Sequence, residues 1–179
     1  MDDIVKAALK KWPNVPAAYG WLGLDARGDW YLRDEATQAA GRFAQVKGSR
    51  IEHEKLKEFI HRNYEMDERG CWFFQNGPQR VFVELEAAPF VWRVAAMGDG
   101  DARVQDHTGQ EVTVESSWLD HDGRLFLHTD YGLGLVHSLD MEAASRAVEA
   151  GRWRPGEASF AELSGRFGYV LSPLELSVR

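Results

Sequence analysis

The sequence predicts an α+β fold in which hairpin-rich antiparallel sheets pack with about four helices. Strand-like and helix-like segments come in blocks rather than in strict alternation, which favours antiparallel sheets over a doubly wound parallel sheet. A short turn motif of the pattern Asp-x-x-Gly also recurs four times along the chain. Tight turns of this kind connect adjacent antiparallel strands, so they indicate β-hairpins.

The N-terminal segment begins with an amphipathic helix. Acidic residues can cap its start, and apolar residues recur at helical spacing until Pro13 ends it. Residues 19–24 and 30–33 are predicted strands on either side of the first Asp-x-x-Gly turn. The polar stretch 34–48 is predicted to be a loop with little regular structure.

A second helix is predicted to begin at Ser49. Ser49 and Glu52 match the capping-box pattern, and Leu56, Phe59 and Ile60 supply one apolar face. Three strands are then predicted, over residues 71–75, 80–85 and 90–96. In the second of them Val81, Val83 and Leu85 alternate with Phe82 and Glu84, as expected of a strand.

The segment 97–101, rich in glycine and aspartate, is the predicted boundary between two halves. Residues 1–97 would form an N-terminal α+β half and residues 102–179 a β-rich half that ends in two helices, with one continuous domain as the alternative. Five short strands are predicted in the second half, over residues 103–106, 111–115, 118–120, 125–129 and 133–136. Its last helix is predicted at Ser159, where Glu162 completes a second capping box.

The four Asp-x-x-Gly copies are predicted to be structural turns rather than parts of a ligand site. They begin at Asp25, Asp67, Asp106 and Asp120. An aspartate at the first position of a turn accepts a nearby backbone N–H, and a glycine at the fourth position adopts a positive φ. Their spacing is unequal and their surroundings differ, which argues against a repeat architecture.

Composition and charge argue against several classes of function. The 179-residue chain is acidic, with a net charge of −7, and lacks a lysine/arginine cluster, so we expect no nucleic-acid partner. Its single cysteine, Cys71, excludes an internal disulfide and a cysteine-based metal cage. No apolar run approaches the roughly 20 residues that span a bilayer, and the acidic N-terminus lacks the order of a signal peptide. We therefore expect a cytoplasmic protein without membrane contact.

The richest cluster of titratable side chains lies between residues 120 and 137. No phosphate-binding loop, serine nucleophile elbow or dinucleotide fingerprint is present in the sequence. If Gly132-Leu133 forms a two-residue turn, His128 lies directly opposite His137, with Cβ atoms about 4.5–5.5 Å apart. Together with Asp130, the two imidazoles could hold a metal ion or form a pH-sensitive pair. The alternative is two histidines on the solvated face of a hairpin.

A second candidate site is the turn between two aromatic-rich strands. Asn76, Gln79 and Arg80 flank a Gly77-Pro78 dipeptide and could form a recognition loop, because polar loops on rigid hairpins often carry binding. Ordinary turn chemistry is the alternative. Aromatic residues make up 12% of the chain, with seven tryptophans, most of which are predicted to pack in the core and hairpins rather than in a ligand cage.

Several phrases of the sequence are similar to those of a small proteobacterial family. They are KWPNVP (residues 11–16) with YGWL (19–22), WFFQNGPQR (72–80), and LHTD (127–130) with GLVH (134–137). The chain resembles this uncharacterised, conserved-hypothetical family, a domain of unknown function, over nearly its whole length. The resemblance implies a bacterial cytosolic protein, and it carries over no activity and no functional residues.

The leading functional hypothesis is a non-catalytic binding or protein-interaction module, which forms a homo-oligomer or binds a protein partner. Its basis is the lack of reaction motifs together with many aromatic residues, which are favoured at binding surfaces. The alternative hypothesis is a small metal-dependent or histidine-assisted hydrolase that uses His128, His137 and Asp130. No organic cofactor is expected under either hypothesis.

Overall fold

The computed structural model describes residues 1–106 and 109–178. These residues form two compact units, of which the first comprises Met1–Asp25, Asp29–Glu86 and Tyr169–Arg179, and the second comprises Ala26–Gly28 and Ala87–Gly168. The segment 97–101, predicted as a boundary, lies inside the second unit. The division of the chain into the halves 1–97 and 102–179 stays a prediction.

Strands and helices follow one another in blocks. The first unit begins with α1 (Asp3–Lys11), β1 (Ala18–Leu24), β2 (Trp30–Leu32), α2 (Glu35–Ala40), β3 (Ser49–Arg50), α3 (Glu54–Arg62), β4 (Tyr64–Met66), β5 (Trp72–Asn76) and β6 (Gln79–Leu85). The second unit contains β7 (Phe90–Ala96), β8 (Ala102–Gln105), β9 (Val114–Leu119), β10 (Leu125–Thr129), β11 (Gly132–Val136), α4 (Met141–Glu149), β12 (Gly156–Glu157) and α5 (Phe160–Phe167). The chain then returns to the first unit with α6 (Pro173–Ser177). None of the helices in the described part of the chain has the length and apolar surface that crossing a bilayer requires.

The fold class is α+β, as predicted, but both sheets are mixed rather than purely antiparallel. The strand order is β3-β2-β1-β6-β5-β4 in the first sheet and β12-β9-β10-β11-β7-β8 in the second. β1 pairs with β6, β11 with β7 and β12 with β9 in parallel, and the other neighbours are antiparallel. Each parallel pair joins strands that are not consecutive in the chain, and such strands need a long crossover connection. Hairpin turn motifs predict consecutive pairs only, so the sequence pattern misses these three.

The helix predicted to begin at Ser49 begins later, as α3. Ser49 and Arg50 instead form β3 against β2. The helix is capped by His53, whose Nδ1 atom accepts a hydrogen bond from the Leu56 amide at 3.3 Å. The predicted apolar face does point inward, since Ile60 is only 1% exposed. The stretch 34–48, predicted as a loop, also contains the short helix α2.

The capping box predicted at Ser159 is confirmed. The Ser159 hydroxyl accepts a hydrogen bond from the Glu162 amide at 3.3 Å, and the Glu162 carboxylate accepts one from the Ser159 amide at 2.7 Å. In the helix that follows, Phe160 stacks on Phe126 of β10 with ring centres 6.2 Å apart. The helix α5 therefore covers one face of the second sheet beside β9 and β10.

The four Asp-x-x-Gly copies share one set of hydrogen bonds. Each aspartate Oδ1 accepts the backbone amide of the residue four positions on, as Asp120 does from Arg124 at 2.8 Å. Residues 107 and 108, inside the third copy, lie outside the described residues. The four glycines have φ values of 82°, 81°, 85° and 74°, for Gly28, Gly70, Gly109 and Gly123. The prediction that each glycine has a positive φ is confirmed.

Replacing Gly123 by valine should lower the free energy of unfolding by about 1–2 kcal/mol, because a β-branched residue resists the left-handed region. Gly123 has a φ of 74°, and no heavy atom lies within 4 Å of a Cβ added there, so the backbone conformation sets the cost. Asparagine tolerates this region and should cost clearly less at the same position. Equilibrium unfolding in urea compares the two variants, and equal losses would rule out φ as the cause.

Candidate functional site

The prediction that His128 and His137 lie opposite each other across a hairpin is wrong. β10 pairs with β11 so that His128 lies opposite Leu133, whereas His137 lies beyond the end of β11. A turn at Gly132-Leu133 would have placed the two imidazoles opposite each other. The actual turn lies two positions earlier in the chain, so the two histidines are not neighbours across the hairpin.

The turn between β10 and β11 consists of Asp130 and Tyr131, because Thr129 and Gly132 form the last pair of the ladder. The Thr129 hydroxyl stabilises the turn by accepting the Tyr131 amide at 3.1 Å and donating to the Gly132 carbonyl at 3.2 Å. The Asp130 carboxylate accepts the Thr113 amide at 3.1 Å. Asp130 thus ties the hairpin end to the residue that precedes β9.

The two histidines have separate surroundings. His137 is buried, and its Nδ1 atom accepts the Leu139 amide at 3.1 Å, which caps a short 3-10 turn. The Nδ1 atom of His128 lies 3.1 Å from a carboxylate oxygen of Glu115, and its ring packs on Phe167 with centres 4.8 Å apart. Among the residues that the structure describes, no group of three or more His, Cys, Asp or Glu side chains is placed to hold a metal ion.

The predicted recognition loop is a tight turn packed against the N-terminal segment. Asn76 and Gln79 form the last pair of β5 and β6. The Gln79 side-chain amide donates to the Pro16 carbonyl at 3.0 Å, and the Arg80 guanidinium lies 4.6 Å from the centre of the Phe73 ring. The structure therefore brings the three predicted residues to one hairpin end, where Gln79 and Arg80 are engaged within the chain and Asn76 is exposed.

A buried polar cluster lies in the first unit around Asp25. The Lys47 ammonium is 3.1 Å from the Asp25 carboxylate and 2.9 Å from that of Glu86, and the Tyr31 hydroxyl donates to Asp25 at 3.2 Å. Burial alone would lower the pKa of Lys47, but hydrogen bonds to the two carboxylates raise this pKa overall. Burial and the neighbouring Asp25 charge raise the pKa of Tyr31. These groups satisfy one another, so the cluster anchors the loop between α2 and β3.

A groove of about 410 Å³ lies along the outer edge of β9. It is lined by residues 114–118 of β9 and, from the segment between α4 and β12, by residues 151–154 and 156. We call it the β9 groove. Its lining belongs wholly to the second unit. The strand β12 pairs with Trp118 and Leu119 of β9, so the neighbouring strand ends where the groove begins.

The outer edge of β9 presents backbone groups to this groove. In a strand, the N–H and C=O groups of successive residues point alternately to the two edges. The Leu119 carbonyl accepts the Ala158 amide at 3.2 Å on the side of β12. Ser117, two residues earlier, therefore points its own N–H and C=O to the same side. In the parallel register that pairs Trp118 with Gly156, the Ser117 carbonyl accepts the Gly156 amide, whereas the Ser117 N–H points beyond the end of β12. Within the part of the chain that the structure describes, this N–H has no strand partner.

The β9 groove carries positive charge although the chain as a whole is acidic. Arg152 and Arg154 are exposed, and neither forms an ion pair with any residue in the ranges 1–106 and 109–178. Glu115 is the acidic residue of the lining, and its carboxylate contacts His128 at 3.1 Å. The whole chain has a net charge of −7. Two guanidinium groups without acidic partners make the β9 groove a positively charged region on this acidic protein.

Trp118 forms a rigid wall of the groove. Its indole N–H donates to the Ser116 hydroxyl at 3.2 Å, and a Cβ added at Gly156 would come within 2.8 Å of the ring. The Arg166 guanidinium of α5 lies 4.2 Å from the ring centre, and the Phe167 ring meets it edge-on at 6.1 Å. The groove is therefore held in shape by packing from α5 on one side and by close approach of β12 on the other.

The sequence contains one signal for this groove, which matches none of the recognised functional motifs. Arg152-Trp153-Arg154 follows directly on Gly151, and arginine and tryptophan are both enriched at binding interfaces. The sequence predicts a packing role for Trp153, whereas the structure leaves it half-buried in the groove wall. The proximity of this segment to β9 depends on a parallel pairing between distant segments, which no local pattern reveals.

Comparison with known proteins finds two similar solved structures, while no curated protein matches the chain. A DUF1285 family protein from Silicibacter pomeroyi DSS-3 has a TM-score of 0.50 and 15% identity, covering 80% of this chain and 83% of that chain. A DUF1285 family protein from Shewanella baltica OS155 has a TM-score of 0.47 and 15% identity, covering 70% of this chain and 91% of that chain. At this identity the likeness concerns the fold alone.

A family model matches almost the entire sequence. The model is that of DUF2944, described as a protein of unknown function (DUF2946), and it matches residues 1–174. The predicted resemblance to an uncharacterised conserved family is thereby confirmed. The chain belongs to the DUF2944 family.

Proposed function

We propose that this DUF2944 protein is a non-catalytic, cytosolic binding module that takes up an extended peptide segment along the free edge of β9. The observation that carries the proposal is the backbone N–H of Ser117, which faces the β9 groove beyond the end of β12. A peptide laid beside β9 would pair a backbone carbonyl with this N–H and continue along the same edge of β9, as in strand addition to other exposed sheet edges. Backbone pairing of this kind gives affinity without any chemical reaction.

The dimensions of the groove suit a short strand. β12 occupies the line beside β9 as far as Trp118, and the preceding residues 151–154 diverge from this line to form the opposite wall. A guest in the same line would lie beside residues 114–117, a length that an extended segment of about four residues spans at about 3.3 Å per residue. The register of β9 against β10 shifts by one residue at Glu115, so the guest would pair most regularly with the end of this stretch nearest Ser117. The inner edge of β9 is already paired with β10, so the guest extends the sheet without displacing a strand.

Two further properties fit the proposal. The wall formed by Trp118 is fixed by α5 and Gly156 before any guest arrives, and a preformed site reduces the entropy lost on binding. The thiol of Cys71 is free and fully buried, as is usual for proteins of reducing compartments such as the cytosol.

Replacing Ser117 by proline tests strand addition at a single backbone N–H. Proline removes this N–H, and edge positions whose N–H faces away from the sheet tolerate proline. The ladder to β10 uses the alternate residues Ser116 and Trp118, so the sheet should persist. We expect a fluorescein-labelled heptapeptide that alternates valine with glutamate to bind about tenfold more weakly, which is the loss of roughly one hydrogen bond. Fluorescence anisotropy measures the dissociation constant.

Ser117→Ala is the matched control, because it removes the same hydroxyl and keeps the N–H. This variant should bind the heptapeptide as tightly as the wild type. N-methylation of alternate peptide residues adds a test on the guest: methyl groups on one edge should abolish binding, and those on the other edge should leave it unchanged. A Ser117→Pro protein that melts normally and binds with unchanged affinity, or equal binding of both methylated peptides, would exclude strand addition.

A further inference from the structure

We infer that the guest of the β9 groove is an acidic segment of a partner protein, whose carboxylates reach Arg152 and Arg154. The inference rests on the proposed strand addition and adds the chemistry of the guest. Its basis is charge complementarity, since two exposed guanidinium groups line the groove and pair with no carboxylate in the described ranges. An acidic guest would supply the missing partners.

Several exposed arginines elsewhere in the protein form ion pairs within the chain, whereas Arg80 and Arg166 lie against aromatic rings. Ion pairs with nearby carboxylates hold the side chains of Arg42, Arg50, Arg93, Arg103 and Arg146. The segment between Glu149 and Glu157, in contrast, contains no acidic residue. The two groove arginines therefore have no carboxylate neighbour in their own loop. On the opposite wall, Glu115 is already in contact with His128.

One residue separates Arg152 from Arg154 in the sequence, as one residue separates neighbouring side chains on the same face of a strand. Alternate side chains of an extended guest lie on one face and recur at about 6.6 Å, twice the rise per residue. Two carboxylates separated by one residue would thus lie on the same face of the guest. Arg152 and Arg154 are also separated by one residue, and the planar guanidinium group binds a carboxylate through two parallel hydrogen bonds. The guest we infer therefore alternates acidic with apolar or small residues.

Three labelled heptapeptides that alternate valine with glutamate, glutamine or lysine test this inference by fluorescence anisotropy. The glutamate peptide should bind about tenfold more tightly than the glutamine peptide, and the lysine peptide should bind more weakly than both. Raising the ionic strength from about 0.05 M to about 0.5 M should weaken binding of the glutamate peptide most, because salt screens exposed charges.

A charge swap makes the test specific to the groove. The double variant Arg152→Glu/Arg154→Glu should reverse the order, so that the lysine peptide becomes the tightest ligand. The matched control is Arg103→Glu/Arg146→Glu, which makes the same change in net charge at two exposed arginines outside the groove lining. This control should keep the order found for the wild type.

The outcomes separate the inference from the function on which it rests. Equal or tighter binding of the glutamine or lysine peptide to the wild type overturns the acidic guest and leaves strand addition standing. If none of the three peptides binds at concentrations up to about 1 mM, the proposed function is overturned. A dissociation constant of about 1 mM corresponds to a binding free energy of only about 4 kcal/mol, so weaker binding alone would escape detection. Analytical ultracentrifugation of the protein without peptide tests whether a second copy of the chain is the guest. A dimer that the Ser117→Pro substitution dissociates would show this and would overturn the inference.

Discussion

Replacing Arg33 by alanine should lower the free energy of unfolding by about 3–5 kcal/mol. The side chain is only 1% exposed, and its guanidinium group donates hydrogen bonds to the carbonyls of Gly20, Thr37, Gly41 and Val46. These carbonyls belong to β1, α2 and the loop after α2, so one side chain joins three segments of the first unit. Alanine leaves the buried carbonyls without their donor and opens a cavity. Urea unfolding followed by circular dichroism measures the loss.

Two companion variants separate the geometry of the donors from the charge. Arg33→Lys keeps the positive charge but lacks the planar fork of N–H groups, so it should lose most of the same stability. Arg50→Ala removes an exposed arginine that pairs with Asp29 at 2.9 Å and should cost less than about 1 kcal/mol. A lysine variant as stable as the wild type would show that charge, and not the fork, holds the three segments.

Replacing Trp92 by alanine should cost the second unit about 3–5 kcal/mol. The indole is fully buried, stacks on Phe90 with ring centres 4.9 Å apart and donates to the Leu127 carbonyl at 2.9 Å. To reach that carbonyl in β10, the ring from β7 passes over Gly134 of β11, where an added Cβ would collide with it. Alanine removes the ring, its stacking and its hydrogen bond together. Denaturant unfolding followed by near-ultraviolet circular dichroism reports on this side chain directly.

The collision between Trp92 and a side chain at position 134 gives a sharper test. Gly134→Ala should cost about 1–3 kcal/mol in the wild type, because the added methyl group overpacks a buried layer. In the Trp92→Ala background the colliding ring is gone, so the same change should cost much less and the double-mutant cycle should show coupling. Additive losses would mean that Trp92 is not the reason for glycine at this position.

Local chemistry explains why the Asp-x-x-Gly turns were predictable and the register of one hairpin was not. The turns depend on an aspartate and a glycine that act within five residues, as in Asp120 to Arg124. Between β10 and β11 the sequence offers two overlapping turns, Asp130-Tyr131 and Gly132-Leu133. The two registers differ by an even number of residues, so each side chain keeps its face and the apolar pattern does not distinguish them. The Thr129 hydroxyl, bonded to both ends of the observed turn, favours the first.

The β9 groove could not be predicted from sequence patterns. Arg152 and Arg154 are recognisable as cations in the sequence, but their lack of acidic partners is a property of the folded chain. The groove exists because β12 is short and pairs in parallel with the far end of β9. Parallel pairing between segments distant in sequence leaves no turn motif, and the same reason explains why the β1–β6 and β11–β7 pairs were missed.

The ribosome completes the second unit before the first. The Leu85 amide donates to the Leu171 carbonyl at 2.8 Å, and the buried Glu84 carboxylate accepts the Ser172 hydroxyl at 2.6 Å and the Leu174 amide at 3.1 Å. These partners of β6 are translated after every strand of the second sheet. Domains generally fold as units during synthesis. All strands of the second unit are therefore synthesised before residues 169–179, which the first unit needs for its contacts with β6. We therefore expect the second unit to fold first on the nascent chain, opposite to the order in which the two units begin.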